Sequence, residues 1–458
     1  MVEVPTELYQ RLQRTGQEHV LFGWQYLTEH ERLSLVEQLQ QIDLDSLATL
    51  YALRDQRDAV PPLDRLAPLP VTDPATLPPE TRQLGESALR QGQVAALVVA
   101  GGQGTRLGFD LPKGIYPIGP VSRKSLFQLH AEKVLALTRR FGCPVPLLIM
   151  TSPATHAETH AFFNVHQHFG LPASDVYFFQ QGTMPALDLA SGKLLLEKPG
   201  VLAVSPNGHG GTLTALAESG LLTTLRQRGI RYIYYFQVDN ALLHIADPLF
   251  IGHHIHAQAE VSVKVIEKEY PAEKMGVFVL VDGRCGIIEY SDLPDELAQA
   301  RDADGRLRYR AANPAIHVFD LDLLSRITTG PTRLPWHVAR KKVPHINERG
   351  DLVRPERENA LKFEMFIFDA LPLAQRWTAL ATTREAEFVP LKNATGPDSP
   401  DTVQAALIQQ ARRLLLTAGV RHIADVPVEV SPLAVDTLTD WVRQHALTQI
   451  DQPTYVAG

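Results

Sequence analysis

The chain has 458 residues, of which 45% are hydrophobic and 21% charged, an ordinary composition for a globular protein with a sizeable core. Its net charge of −7 argues against a general nucleic-acid-binding protein, because such proteins carry an excess of positive charge. With no signal-peptide pattern, no apolar run near the ~18 residues that cross a bilayer, and two widely separated cysteines, Cys143 and Cys285, it is expected to be a soluble cytoplasmic protein.

The first part of the chain, residues 1–60, is predicted to be helical. Thr28 and Glu31 have the spacing of a capping box, and Asp45 is placed to cap a second helix. The next residues, 61–79, contain seven prolines and should form an extended connector. Leucines interrupt this connector, so we expect it to pack against the domain that follows rather than to stand free in solvent.

Strands and helices alternate from residue 94 onward. Residues 94–100 are an unbroken apolar run rich in valine, which is typical of a strand buried on both faces of a parallel sheet. Ser152-Pro153 is a favourable helix start, with Ser152 as the N-cap. Further strands are predicted at 145–151, 176–180 and 232–238, and helices at 125–141, 152–168 and 212–228. This alternation predicts a doubly wound, mostly parallel α/β sheet with ligands beyond the carboxyl ends of its strands.

Other elements of the chain are predicted outside this alternating pattern. A hairpin is predicted around Lys198-Pro199-Gly200, and a long helix from Ser399-Pro400 to about Thr417. An antiparallel addition to the sheet is predicted at 261–267, 277–282 and 286–290. We therefore divide the chain into a helical N-terminal segment with its proline-rich connector, a ligand-binding domain and a small C-terminal domain, at residues 1–92, 93–394 and 395–458.

A glycine-rich loop follows the first buried strand. Its glycines remove Cβ atoms, so that backbone N–H groups can approach a bulky anion, and Arg106 and Lys113 add positive charge. We therefore expect a phosphorylated ligand. The dinucleotide fingerprint requires a glycine where Leu107 stands, and the nucleoside triphosphatase loop requires Ser or Thr after Gly-Lys, whereas here the order is Lys113-Gly114-Ile115. These residues alone leave open an ordinary turn with solvated cations.

Polar motifs follow the later strands. Gln181 offers an amide that matches the edge of a pyrimidine, and Pro206–Gly211 is a glycine-rich turn ahead of a helix N-terminus. Asp239 ends a strand, where a carboxylate can hold Mg²⁺ beside phosphates. Each is also compatible with an ordinary turn. His156 and His160 have the spacing of metal ligands but lack the glutamate of the protease motif, so we interpret them as structural or solvated.

The glycine loop becomes specific when it is taken with its neighbours. Gly101–Gly108, read as Gly-Gly-Gln-Gly-Thr-Arg-Leu-Gly, is followed by Pro112-Lys113-Gly114 and by Ser122–Gln128. This series resembles the signature of UDP-sugar pyrophosphorylases, and most closely the eukaryotic-type UDP-N-acetylhexosamine (N-acetylglucosamine) pyrophosphorylases. The resemblance runs in order from about Val94 to Asn393. It implies a Rossmann-like sheet of the nucleotidyltransferase type.

The resemblance also implies a reaction. UTP and N-acetylglucosamine-1-phosphate would give UDP-N-acetylglucosamine and pyrophosphate reversibly, by in-line attack on the UTP α-phosphate with Mg²⁺ (or Mn²⁺) as cofactor. The implied catalytic residues are Arg106, Lys113 and Lys392. The implied nucleotide-binding residues are Val99, Ala100, Gly101, Gly102, Gln181, Gly208 and His209. The implied sugar- or phosphate-binding residues are Asp239, Glu289, Asn313 and Lys362, with Asp239 also as the metal ligand.

Two departures from the family pattern affect these expectations. His209 replaces the Asn of the family's glycine-rich turn. Asn313-Pro314-Ala315-Ile316-His317 stands where the family has Asn-Ile-Ala-Asn-His, so that Pro314 alters the backbone and Ile316 removes an amide. The nucleotide is therefore better defined than the sugar, and a UDP-glucose, UDP-galactose or broad UDP-sugar pyrophosphorylase is the alternative.

A second alternative is a UDP-sugar-binding protein without catalytic activity. Such a relative should have lost part of its phosphate site, whereas this chain retains Arg106, Lys113, Asp239, Lys362 and Lys392. The expected partners are the nucleotide and sugar substrates and products, with no nucleic acid and no membrane. We expect a monomer or a weak homodimer.

Overall fold

The computed structural model describes residues 3–55, 61–331 and 333–457. The predicted N-terminal helical segment also includes residues 1–2 and 56–60, and the predicted C-terminal domain includes residue 458, all of which lie outside the described residues. The chain divides into two compact units. The smaller unit comprises Met1–Ala59, Gln181–Gly211 and Leu334–Asp369, and the larger comprises Val60–Gln180, Thr212–Arg333 and Ala370–Gly458. The three-part division proposed from the sequence stays a prediction.

The helices of the described residues are numbered in chain order. They are α1 Thr6–Thr15, α2 Glu29–Gln40, α3 Leu47–Ala52, α4 Pro79–Arg90, α5 Leu126–Phe141, α6 His156–Val165, α7 Gly211–Glu218, α8 Leu221–Gln227, α9 Pro248–His256, α10 Asp295–Gln299, α11 Leu321–Thr329, α12 Arg384–Glu387, α13 Pro400–Thr417 and α14 Leu438–Gln444.

The strands are numbered in the same way. They are β1 Leu66–Pro68, β2 Val94–Val99, β3 Leu147–Thr151, β4 Val176–Gln180, β5 Thr183–Pro185, β6 Leu187–Asp188, β7 Leu196–Lys198, β8 Val201–Leu202, β9 Val204–Pro206, β10 Tyr232–Gln237, β11 Val261–Glu267, β12 Val277–Val281, β13 Arg284–Ile288, β14 Ala311–Ala312, β15 His317–Asp320, β16 His337–Lys341, β17 His345–Ile346, β18 Leu352–Val353, β19 Ala360–Glu364, β20 Trp377–Ala381, β21 His422–Ile423, β22 Val428–Val430, β23 Gln449–Ile450 and β24 Thr454–Val456.

The larger unit is built on an eleven-stranded sheet. Its order is β1-β12-β14-β11-β15-β10-β2-β3-β4, with β13 beside β12 and β20 beside β11. The four strands β10, β2, β3 and β4 are parallel neighbours. Beyond them β15 is antiparallel to both β10 and β11, and β12 pairs antiparallel with β13. The predicted α/β sheet, with its parallel strands and its antiparallel addition, is confirmed.

The parallel strands form because they can be buried on both faces. Every residue of β2 and β3 is buried, which suits their unbroken apolar sequences. The helix α5 then covers the sheet. It begins where the Ser125 hydroxyl accepts the Gln128 N–H at 3.1 Å and ends at Gly142, whose φ of 69° is left-handed. Both predicted ends of this helix are confirmed.

The proline-rich connector contributes a strand to the larger unit. β1 pairs antiparallel with β12, and Leu66 and Leu69 are buried. The Thr72 N–H donates to the Ala379 carbonyl at 2.9 Å, which continues the connector along the sheet. The prediction that these leucines dock the connector on the following domain is therefore confirmed.

Two predicted helix boundaries in the larger unit are wrong. Ser152 does not cap the helix that follows it, because α6 begins at His156 and the Ser152 hydroxyl instead donates to the Gly101 carbonyl at 2.8 Å. The single helix predicted at 212–228 is two helices, α7 and α8, because Gly220 adopts a left-handed φ of 74° between them.

The end of the chain has an apolar core of its own within the larger unit. Residues of α13, α14 and the parallel pairs β21–β23 and β22–β24 form it, including Leu415, Val428 and Val456. The predicted helix after Ser399 is confirmed as α13, which Ser399 and Thr402 cap. Cys143 and Cys285 are free thiols. Within the described ranges, no helix is both long and apolar enough to span a bilayer.

The smaller unit packs α1, α2 and α3 with short strand pairs around a leucine-rich core. The predicted capping box of α2 is confirmed, because the Glu31 N–H donates to the Thr28 hydroxyl and the Thr28 N–H donates to the Glu31 carboxylate. The predicted hairpin is confirmed as the antiparallel pair β7–β8. The predicted cap at Asp45 is wrong, because its carboxylate accepts from Arg14 at 2.9 Å.

We predict that Gly252→Ala will destabilise the larger unit. The helices α4 and α9 approach so closely that a Cβ on Gly252 would lie 1.7 Å from the Thr81 carbonyl oxygen. Overpacking of this kind costs about 1–3 kcal/mol, which thermal unfolding would report as a lower Tm. Gly286→Ala is the control, because a Cβ there would lie 3.8 Å from its nearest neighbour. Equal Tm values for the two variants would contradict the prediction.

Candidate active site

The glycine-rich loop leaves the carboxyl end of β2 and is held by backbone hydrogen bonds. The buried residues Val99 and Ala100 pair with the flanking segments, since the Val99 carbonyl accepts the Val238 N–H at 3.1 Å. The Gly102 carbonyl accepts the Lys113 N–H at 3.1 Å, so the loop returns to its own start. A Cβ on Gly102 would have no heavy atom within 4 Å, which leaves this backbone edge open to a ligand.

A cation and a carboxylate meet at the ends of neighbouring strands. Asp239 follows β10, which is the parallel neighbour of β2, and its Oδ2 lies 3.5 Å from the Lys113 Nζ. The two side chains keep 20% and 19% of their surface exposed. The ammonium group can therefore bind an anion, and the carboxylate can bind a cation, at one edge of the sheet.

The segment that carries Lys392 is hydrogen-bonded to the residues around Asp239. The Leu391 N–H donates to the Asp239 carbonyl at 2.9 Å, and the Val389 N–H donates to the Asn240 Oδ1 at 3.2 Å. This pairing places Lys392 one residue beyond the bond to Asp239. In the part of the chain that the structure describes, neither Lys392 nor the exposed Arg106 makes a side-chain ion pair, so both cations are available to anions.

The other side of the Asp239 loop rests on α5. The His130 Nε2 lies 2.9 Å from the Val238 carbonyl, and burial lowers the pKa of His130 to about 3, so the neutral ring donates this bond. The Lys133 ammonium donates to the carbonyls of Ala241 at 2.5 Å and Leu243 at 3.0 Å. Neither residue was predicted from the sequence, although two polar side chains one turn apart on the apolar side of a predicted helix are a usable signal.

Glu289 and Asn313 lie on either side of one glycine. The Asn313 N–H donates to the Gly276 carbonyl at 3.0 Å, and the Glu289 Oε1 lies 3.0 Å from the position of a Cβ on Gly276. The Asn313 Oδ1 accepts the Ala315 N–H at 2.8 Å, in a turn where Ala315 has a left-handed φ of 58°. Ile316 is buried in the core, so this departure from the family pattern places an apolar side chain in the interior.

In the smaller unit, motifs that are distant in sequence are adjacent. The Asn207 N–H donates to the Gly182 carbonyl at 3.1 Å, next to the buried Gln181, and the Met365 N–H donates to the Asn207 carbonyl at 2.8 Å. Gly208 has a φ of +83°, and a Cβ on it would lie 2.4 Å from the Met365 carbonyl oxygen. Only glycine fits this turn. Lys362 lies on β19, three residues before Met365.

His209 is partly buried beside the same segment of the smaller unit. The Ile367 N–H donates to its Nδ1 at 3.1 Å, and its ring stacks on Phe366 at a centroid distance of 5.3 Å. Burial lowers the pKa of His209 to about 4, and the neighbouring His337 adds to this effect. The imidazole is therefore neutral, with Nδ1 as an acceptor and the proton on Nε2.

The donors for a metal ion are few. Among the described residues, no group of three or more His, Cys, Asp or Glu side chains could hold one. His156 is hydrogen-bonded through Nδ1 to the Thr151 hydroxyl at 2.9 Å, and the His160 ring packs on Phe178. Mg²⁺ is usually bound by one or two carboxylates together with substrate phosphates, so Asp239 by itself fits such an ion.

The glycine-rich loop, Lys113 and Asp239 lie at one edge of an α/β sheet, an arrangement suited to a phosphorylated ligand. The chain belongs to the UTP–glucose-1-phosphate uridylyltransferase family, whose family model matches residues 55–423. It is 40% identical to "UDP-N-acetylhexosamine pyrophosphorylase-like protein 1" of Homo sapiens, over 90% of this chain and 86% of the relative. It is 36% identical to "UDP-N-acetylglucosamine pyrophosphorylase" of Saccharomyces cerevisiae, over 93% and 94% of the two chains.

A solved structure of similar architecture is the uridine diphosphate N-acetylglucosamine pyrophosphorylase of Trypanosoma brucei, in complex with an inhibitor. Its TM-score to this chain is 0.83, at 28% sequence identity, and the match covers 100% of this chain and 99% of the other. The family resemblance and the fold expected from it are thereby confirmed.

We predict that His209→Asn will make the stability of the protein less dependent on pH. In the unfolded chain His209 has a pKa of about 6.5. As pH falls from about 6.5 toward 4, only the unfolded state takes up the proton, so stability is lost; above 6.5 there is no loss, and below about 4 there is no further loss. Between pH 7.5 and 5.0, His209 should account for about 2 kcal/mol.

Urea unfolding of the wild type and the variant at these two pH values tests this prediction. His30→Asn is the control, because His30 is an exposed histidine of the same unit. If His209→Asn loses as much stability on acidification as the wild type, the neutral state assigned to His209 is wrong.

Proposed function

We propose that the protein is a uridylyltransferase that makes UDP-N-acetylglucosamine and pyrophosphate from UTP and N-acetylglucosamine-1-phosphate. The observation that carries this proposal is the 3.5 Å contact between Lys113 and Asp239 beside the glycine-rich loop, in a member of a uridylyltransferase family. The choice of the amino sugar rests on relatives at 36–40% identity that are named for N-acetylglucosamine or N-acetylhexosamine.

The chemistry requires positioning and charge neutralisation rather than a side-chain base. An oxygen of the sugar phosphate, which is already ionised, forms a bond to the α-phosphorus of UTP while the bond to the β-phosphate breaks and pyrophosphate leaves. Reactions of this kind depend on alignment and on stabilising charge at the phosphates. The retained lysines and arginine are suited to this role.

We assign the roles as follows. Lys113 and Arg106 would bind the triphosphate and the leaving pyrophosphate, and Lys392 and Lys362 the sugar phosphate and the charge of the transition state. Asp239 would hold Mg²⁺, which neutralises phosphate charge when bound. Gln181 and Gly208 would select uracil, while Val99 to Gly102 and His209 would contact the nucleotide. Glu289 and Asn313 would contact the hexosamine.

A second candidate is the same reaction with glucose-1-phosphate, because the family description names that substrate. Incubation of the purified protein with UTP, Mg²⁺ and each sugar-1-phosphate, with pyrophosphate release as the readout, separates the candidates. We expect the highest kcat/KM with N-acetylglucosamine-1-phosphate. If that substrate is the poorest, the assigned sugar is wrong. Binding of UDP-sugar without pyrophosphate release from any sugar phosphate would favour a non-catalytic protein.

The state of the protein in the cell is part of the same proposal. A cytoplasmic location suits an enzyme that uses UTP and sugar phosphates. The monomer or weak homodimer expected from the sequence is checked by sedimentation equilibrium over a range of protein concentrations, and a stable larger assembly would contradict it.

We predict that Lys113→Ala will lower kcat by about 10²–10³-fold, because it removes a cation that stabilises transition-state charge. Its partly exposed ion pair contributes at most about 1 kcal/mol, so the fold should persist. Steady-state kinetics and thermal unfolding measure the two effects. Lys193→Ala removes an exposed lysine of the smaller unit and is the control. Near-normal turnover in a folded Lys113→Ala protein would refute the role of Lys113.

A further inference from the structure

Three charged side chains, of which Lys264 and Glu387 are buried, form a group in the larger unit that is bonded to Asn240, the residue after Asp239. The Lys264 Nζ lies 2.5 Å from the Glu387 Oε2 and 3.0 Å from the Asp247 Oδ2. Glu387 and Lys264 each keep only 2% of their surface exposed. The Glu387 carboxylate also accepts the Thr382 hydroxyl at 2.8 Å and the His244 N–H at 3.1 Å. Every oxygen of this carboxylate therefore has a partner.

Burying charged side chains costs free energy, because the charges lose their hydration. Burial by itself lowers the pKa of Lys264, but the carboxylates of Asp247 and Glu387 more than offset this effect, so the pKa lies above its ordinary value. Buried ion pairs are often no more stable than apolar side chains of the same volume. A contribution to stability is therefore a weak explanation for these charges, and their position relative to the candidate site offers a better one.

Glu387 is the point at which this group joins the site. Its backbone carbonyl accepts the Asn240 Nδ2 at 2.7 Å, and the same Asn240 side chain accepts the Val389 N–H at 3.2 Å. The Asn240 side chain is thus hydrogen-bonded to the backbone of both Glu387 and Val389. The next bond along is from the Leu391 N–H to the Asp239 carbonyl. The register of the segment against the Asp239 loop is therefore fixed at its start by Glu387.

We propose that Glu387, held by Lys264, is a positioning residue that fixes the separation of Asp239 and Lys392. This inference rests on the proposed function, in which those two residues serve the metal and the sugar phosphate. If Glu387 shifts, the bonds at Val389 and Leu391 lose their register and Lys392 moves relative to Asp239. A misplacement of about 1 Å in a reaction of this kind costs about 10²-fold in rate.

Glu387→Gln is the direct test, because it keeps the shape of the side chain and leaves Lys264 paired with Asp247. Glu260→Gln is the matched control. Glu260 is also a buried carboxylate of the larger unit, it accepts from Arg326 at 2.9 Å and from the Gln375 N–H at 2.5 Å, and it immediately precedes β11, which carries Lys264. Both substitutions therefore remove one buried negative charge near the same strand.

The expected result is specific to Glu387. In Glu387→Gln, kcat should fall about 10- to 100-fold. In Glu260→Gln, kcat should stay within about threefold of the wild type. Asn240→Ala is a second variant that keeps Lys264, Glu387 and Asp247, and it should reproduce the loss in kcat because it removes the bridge to Glu387.

A readout besides activity is the binding of Mn²⁺ in the presence of UTP, followed by electron paramagnetic resonance. A displaced Asp239 should weaken this binding about tenfold or more in Glu387→Gln and Asn240→Ala but not in Glu260→Gln. If both variants fold and match Glu260→Gln in kcat and in Mn²⁺ binding, the inference is overturned. If the wild type releases no pyrophosphate with any sugar phosphate, the proposed function is wrong. The inference about Glu387 is then decided by Mn²⁺ binding to the three variants and the wild type.

Discussion

The parallel pairing of β2 with β10 is the constraint on which the candidate site depends. The two strands run in register from Val94 opposite Tyr232 to Val99 opposite Gln237, so they end at the same edge of the sheet. The glycine-rich loop follows the end of β2, and Asp239 follows the end of β10. The contact between Lys113 and Asp239 follows from this register, and the apolar sequences of both strands ensure it by burying them.

Around this edge, polar side chains hold the loops through hydrogen bonds to backbone carbonyls. Ser152 bonds to Gly101, His130 to Val238, and Asn240 to Glu387, and in each pair one partner is a backbone carbonyl. A buried polar side chain costs free energy unless it is hydrogen-bonded, so each of these residues stabilises the protein only in one backbone arrangement. Side-chain hydrogen bonds thereby hold the backbone at this edge, while Arg106 and Lys392 make no side-chain ion pair within the described residues.

The sequence predicted those parts of the structure that depend on local patterns. The buried strands, the ends of α5 and the hairpin at Lys198-Pro199-Gly200 were predicted because their signals lie within a few residues. Ser152 was misassigned because a serine before a proline favours a helix start, whereas its hydroxyl bonds to a residue 51 positions earlier. The pairing of Lys264 with Glu387 spans 123 positions and has no local signal at all.

The predicted ligand site has two halves, one for the nucleotide and one for the sugar. The predicted nucleotide half relies on glycine backbone, and at Gly102 the absence of a side chain leaves that backbone open to a ligand. The predicted sugar half consists of the side chains of Glu289 and Asn313, both of which lie next to Gly276. Pro314 lies between Asn313 and Ala315, in the turn where the Asn313 Oδ1 accepts the Ala315 N–H at 2.8 Å. The Asn313 oxygen therefore already has a partner within the protein, and the amide nitrogen is the group that Asn313 would offer to a sugar.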